Sequence, residues 1–164
     1  MNYFWLDASA MAKRYVHEIG TPLVNHLFNQ AQAASMVCLL ESVGEVISVF
    51  VRGRNASLIS ASMFRQVSSR FDREITYRND VEKIRPKKLQ VIDSWKLIEK
   101  HSINSSDAII LKCALDRAAM LGANGDALVL VSSDLRLIRA AKAEGLITFN
   151  PETDDQQTLD SLIN

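Results

Sequence analysis

The chain is poor in the residues that build covalent and metal-bridged scaffolds: three prolines, two cysteines and three histidines in 164 residues. Two cysteines make no disulfide framework. Cys38 and Cys113 each sit inside an apolar segment and read as buried thiols of a reducing, cytoplasmic compartment. His17, His26 and His101 show no zinc-site spacing. No apolar stretch approaches the length that crosses a bilayer, so no membrane association is expected. The opening MNYFWLDASA lacks a positively charged segment, and Asp7 interrupts its apolar run, so no signal peptide is expected. A glycine-rich phosphate loop and a Gly-x-Ser-x-Gly elbow are both missing, which argues against P-loop and serine-hydrolase chemistry. There is no internal repeat and no low-complexity segment.

What is present fits one soluble domain with a sizeable core: 48% hydrophobic and 23% charged residues. The net charge is zero, but it is unevenly spread. Residues 52–100 carry twelve basic and six acidic side chains, and both flanks are acidic. A basic middle beside acidic flanks points to a polyanion held next to a cation site.

Short apolar runs alternate with helical patterns. Tyr3–Leu6, Met36–Leu40, Ala127–Val131 and Leu146–Phe149 read as strands. Between them, helices are expected from Ala8 to Glu18, from Pro22 to about Gln32 and from Ser42 onward. In the last of these, Val43, Val46, Ile47, Phe50 and Val51 form the apolar stripe. Ser57 is the expected cap of a helix carrying Ile59, Met63, Val67 and Phe71. Ile75–Lys88 is polar. Leu89–Lys100 reads as amphipathic through Val91, Ile92, Trp95 and Ile98. Asn104 opens a long helix that Gly122 closes, and Ser132-Ser133-Asp134 opens the last one. Residues 151–164 read as a polar, acidic, loosely held tail. Strands alternating with helices imply a parallel sheet covered on both faces.

Four acids then gain meaning. Asp7 and Asp134 follow strand ends, where ligands bind in such folds. Asp107 begins a helix, and Glu45 lies mid-helix beside an apolar stripe. Each has a simpler explanation alone, as a cap, a first-turn acid or an exposed glutamate. Together at one sheet edge they would repel one another unless a hard cation such as Mg2+ or Mn2+ neutralised them. Such ions activate water against a phosphodiester. Glu41, one turn before Glu45, is the alternative second acid. Ser9 and Ser132 are placed to hydrogen-bond the carboxylates.

These residues resemble a known family. Tyr3-Phe4-Trp5-Leu6-Asp7-Ala8-Ser9, Glu45-Val46-Ile47-Ser48-Val49-Phe50, Ser106-Asp107-Ala108-Ile109 and Val131-Ser132-Ser133-Asp134-Leu135 resemble, in order, the four acidic motifs of PIN domains. That is the nuclease fold of VapC-type toxins in toxin–antitoxin pairs. The match spans about residues 3–150. Ala8 stands where a hydroxyl residue is common, and Ser106 where an aromatic is common. The resemblance implies a three-layer α/β/α fold in one domain, residues 1–150, with a helical arm at 52–88. It implies Mg2+- or Mn2+-dependent cleavage of single-stranded RNA. Asp7, Asp107 and Asp134 would bind metal, and Glu45 would bind metal or orient the water. It implies a homodimer and a small antitoxin partner. Arg52, Arg54, Arg65, Arg70 and Arg73 on the arm become the candidates for phosphate contact. Two other readings use the same pocket: a binding module without hydrolysis, and a metal-dependent DNA nuclease.

Overall fold

The computed structural model describes the whole chain, Met1–Asn164. The elements run β1 (Asn2–Leu6), α1 (Ala8–Met11, continued by a 3-10 turn over Ala12–Arg14), α2 (Thr21–Gln30), β2 (Met36–Leu39), α3 (Leu40–Asn55) and α4 (Ala61–Phe71, continued by a π turn over Asp72–Thr76). They continue with β3 (Glu82–Ile84), α5 (Lys88–His101), α6 (Ser105–Gly122), β4 (Ala127–Val131), α7 (Leu135–Ala143), β5 (Ile147–Phe149) and α8 (Gln156–Ile163).

All five strands are parallel, in the order β3-β2-β1-β4-β5. The chain lays strands outward from β1 on one side, then returns to β4 on the other. The direction of winding therefore reverses between β1 and β4, the position where an open α/β sheet leaves a crevice at its carboxyl edge. Leu6 is in register with Val131, and Val131 with Phe149, so these strand ends are level.

The strands are apolar without interruption because both faces are buried. Phe4, Leu6, Met36, Cys38, Val129 and Val131 pack on one side, under a layer that includes α1, α3 and α4. Trp5, Val37, Leu39, Leu128 and Leu130 pack on the other, against α6 and α7. The expected three-layer α/β/α architecture is therefore observed. Tyr15, Phe50 and Phe71 meet edge to face, with ring centroids 5.1–5.8 Å apart, and join the first helical turns to α3 and α4. Gly20 has φ +88°, and a Cβ there would lie 2.7 Å from the Pro151 carbonyl oxygen. Only glycine fits that approach.

Several local expectations need correction. The first helix stops at Arg14 rather than Glu18, and the Glu18 amide donates instead to Thr21 Oγ1. The cap of α4 is Ser60, whose hydroxyl accepts from the Met63 amide at 3.0 Å. Ser57 instead sits at φ 57°, in a turn where the Leu58 amide donates back to the Gly53 carbonyl. The polar stretch after Ile75 contains β3, an edge strand of three residues paired only with β2. So short and half-buried a strand leaves no hydrophobic period to read. On α5 the buried residues are Ser94 and Leu97, whereas Ile92 and Trp95 are exposed. The tail is not loose: α8 buries Leu159, and His26 Nε2 meets Asp160 Oδ1 at 2.7 Å. No helix is long and apolar enough to cross a membrane.

Candidate active site

The carboxyl edge gathers the acids around Asp7. Asp7 directly follows β1, and its amide donates to the Val131 carbonyl at 3.0 Å, which fixes it beside the end of β4. It is 6% exposed and caps α1. Its Oδ2 accepts from the Ser9 hydroxyl at 2.5 Å, the Ser132 hydroxyl at 3.0 Å and the Ser9 amide at 3.2 Å. No hydrogen bond falls on Oδ1. The same two serines carry the next layer. Ser9 Oγ accepts from the Ser133 amide at 2.9 Å, and Ser132 Oγ from the Asp134 amide at 3.0 Å. The structure thus places the Ser9 and Ser132 hydroxyls on Asp7.

Asp134 is the cap of α7 rather than a residue inside its first turn. Its Oδ1 accepts from the Arg136 and Leu137 amides, which leaves Oδ2 with only the Arg136 guanidinium, 3.9 Å away. Asp107 stands third in α6 behind the cap Asn104, as its spacing predicts. It is buried, and its Oδ2 has no hydrogen-bond partner. Burial is the main reason its pKa rises to about 6; Asp134 and Asp7 push it further up, Arg136 opposes, and Glu45 adds a smaller push. Glu45, an exposed side chain, is also raised, by partial desolvation first, then by Asp7 and Glu41. Asp7, Asp134 and Glu45 thus all act on Asp107, and Asp7 also acts on Glu45. Glu41 acts on Glu45 but is not among the charges acting on Asp107.

No three acidic, histidine or cysteine side chains close into a group able to hold a metal ion. The residues nonetheless suit a hard cation. The donors are all oxygens, Asp7 Oδ1 is unengaged, and Asp107 Oδ2 is buried and unpartnered. Mg2+ keeps several waters and needs only one or two carboxylates beside a phosphate. Ser132→Ala tests the support beneath Asp7: it strands the Asp134 amide and removes one of the three hydrogen bonds on Asp7 Oδ2. Affinity for Mn2+ is expected to fall about 10–100-fold by calorimetric titration. An unchanged affinity would show that Ser132 does not hold the site.

Three depressions adjoin along this edge. One, of about 420 Å³, is lined by Ala8, Ser9, Glu45, Ser48, Val49 and Arg52. A second, of about 390 Å³, shares Ser9 and Val49 with it and adds Lys13, Asp134 and Glu152. A third shares Glu45 and runs towards α5 and α6. Of the five arginines, Arg52 alone lines these depressions. Arg54 lies over the Phe64 ring at 4.6 Å, Arg73 bonds Ser69, and Arg65 is exposed. Arg70 is bound to Glu74 at 2.9 Å and lies over Tyr15.

Sequence reasoning passed over Lys13. It is 2% exposed, with Glu152 at 2.6 Å and Glu18 at 3.4 Å. Nothing local marks a lysine whose partner lies 139 residues away. Arg136 was likewise visible only as part of a helix start.

No protein-family model matches the chain, and no curated protein matches it in sequence. Solved structures match it in fold. PAE2754 from Pyrobaculum aerophilum is 15% identical, with 98% of this chain and 94% of that one covered at a TM-score of 0.60. FitAcB from Neisseria gonorrhoeae is 14% identical, with 92% and 99% covered at a TM-score of 0.62. FitAB bound to the IR36 DNA fragment is 12% identical, with 93% and 98% covered at a TM-score of 0.64. At such identities the likeness shows the fold, which is PIN-like.

Proposed function

We propose that the chain is an endoribonuclease that cleaves single-stranded RNA with Mg2+ or Mn2+. The carrying observation is the acid cluster at the winding reversal of the sheet, with Asp107 Oδ2 buried and unpartnered inside it. Asp7, Asp107 and Asp134 would hold the cation, and Glu45 would assist them or orient the water. When bound, a divalent ion offsets phosphate charge and lowers the pKa of an attacking water. Glu45, whose pKa is raised by desolvation and by Asp7 and Glu41, would be the group to accept a proton there. The adjoining depressions offer a path along this edge for a strand, and Arg52 would supply a positive charge beside Glu45.

The test uses labelled RNA and DNA strands of equal sequence with Mg2+, Mn2+ or EDTA. RNA products are expected only with the divalent ion. Cleavage in EDTA, or equal cutting of DNA, overturns the reading. One observation favours a second reading, a binding module without hydrolysis: no three side chains close into a chelating group. That reading predicts salt-sensitive RNA retention with no products.

The resemblance to VapC-type toxins, together with a fold shared with FitAcB and the DNA-bound FitAB, supports a role as the toxin of a type II pair with a small antitoxin partner. Growth arrest on induction in a bacterial host, relieved by co-expression of the protein encoded beside it, is the expected sign. We also infer a homodimer. Leu89, Ile92 and Trp95 recur every three residues along α5 and are 71%, 38% and 55% exposed, an apolar stripe without a partner inside the chain. Trp95→Glu is expected to turn dimers into monomers in sedimentation, and dimers that survive it would place the contact elsewhere.

A further inference from the structure

The third depression along the carboxyl edge differs in kind from its neighbours. It is a slot of about 200 Å³ between α3, α5 and α6. Leu39, Pro86, Val91 and Ile109 give it apolar walls, and Glu41 faces it from the first turn of α3. Glu41 has neither a hydrogen bond nor an ion pair within the protein. Ser106 lines the slot next to Asp107, and its small side chain leaves that side open. Glu45 is a wall of both this slot and the depression that holds Ser9 and Arg52. The slot therefore adjoins the depression of the acid edge at Glu45.

We propose that this slot is a base-specific subsite that takes a guanine of the RNA strand, adjacent to the phosphate at the acids, with Glu41 reading the base. The proposal rests on the reading of the same edge as an RNA site. Apolar walls suit the faces of a flat base. A carboxylate only accepts hydrogen bonds when ionised. Guanine offers it two parallel donors, N1–H and the exocyclic amino group. Adenine and cytosine each set one amino donor beside a ring nitrogen acceptor, which the carboxylate repels. Uracil flanks its single N–H with two carbonyls. Glu41 disfavours an anionic group inside the slot itself, while a neutral base with two donors pairs with Glu41 without bringing further charge into an apolar slot. This assigns Glu41 a role apart from that of Glu45.

The experiment uses fluorescein-labelled hexauridylate and three variants with one central guanosine, adenosine or cytidine. Binding to the full chain is followed by anisotropy with Ca2+ replacing Mg2+, so that affinity is read apart from cutting. The guanosine probe is expected to bind about tenfold more tightly than hexauridylate. Glu41→Gln and Ser106→Phe, the first removing the charge and the second filling the slot, are each expected to bring that ratio close to one while leaving hexauridylate affinity unchanged. Equal affinity for all four probes, no binding of any probe, or a guanosine preference that survives both substitutions overturns the subsite. RNA cleavage without base preference sinks the subsite and leaves the nuclease standing. Guanosine-selective binding without cleavage does the reverse.

Discussion

Asp7→Asn is expected to lower RNA cleavage by about a thousandfold or more, equivalent to about 4 kcal/mol of lost transition-state stabilisation, while the fold stays intact. The asymmetry of the carboxylate is the reason. Oδ2 is fully engaged by Ser9 and Ser132, whereas Oδ1 accepts nothing from the protein. An asparagine retains one oxygen and the volume, so the serine contacts survive with little change in packing. It loses the negative charge, and whichever atom replaces Oδ1 serves a cation poorly. The measurement is the cleavage rate at saturating Mn2+ beside a thermal melt. A rate within tenfold of the parent, with an unchanged melt, would remove Asp7 from the chemistry.

Asp107→Asn is expected to do two opposite things: abolish cleavage and stabilise the metal-free protein. The pKa of Asp107 rises from the ordinary 3.8 to about 6. Between those values the folded chain keeps a proton that the unfolded chain releases. Stability is therefore favoured on the acid side and lost as pH climbs from about 4 to 6. Above that window the folded state holds an ionised carboxylate, buried and facing Asp134 and Asp7. Asparagine carries no charge at any pH. A gain of about 3 kcal/mol near pH 7 follows from the size of the shift, or about 6–12 °C in melting temperature for a chain of this length. Melts at pH 4 and pH 7 without metal check it. The gain should appear at pH 7 and vanish at pH 4. A variant that melts lower than the parent at pH 7 would mean that Asp107 is stabilised by contacts, not stressed by its neighbours.

The stability of the cluster and its proposed use are thus in opposition, as is common where like charges are gathered for function. Ser9 and Ser132 hold the Asp7 carboxylate by hydrogen bonds from hydroxyl and backbone, and Asn104 Oδ1 fixes Asp107 by accepting from its backbone amide; these contacts set geometry without cancelling charge. Lys13 lies along the same edge but is already bound by Glu152 and Glu18.

How much of this was legible beforehand depended on the range of each interaction. The buried strands announced themselves because both faces are covered, so β1, β2, β4 and β5 fell within a residue of their expected places. The acids were legible as caps and strand-end residues, and the parallel sheet then put them on one edge. What could not be read were pairings across long sequence separation and elements without a period. Lys13 meets Glu152 through the turn after β5, and no local rule predicts it. β3 is an edge strand of three polar and apolar residues. The exposed face of α5 carries Trp95 where amphipathic logic put the core, because the helix buries Ser94 and Leu97 instead. Glu41 and Glu45, one turn apart, were equivalent by spacing. Only the tertiary placement of Asp7 and Asp107 sets them apart.

The two chain ends are clasped together. Asn2 Nδ2 donates to the Leu162 carbonyl at 2.8 Å, and the Met1 amino group meets Asp126 at 2.7 Å. Asn2 begins β1, whereas the acids follow its far end. An affinity tag or fused protein attached at either terminus thus emerges on the side of the sheet away from the carboxylates, and leaves a strand of RNA free to approach them.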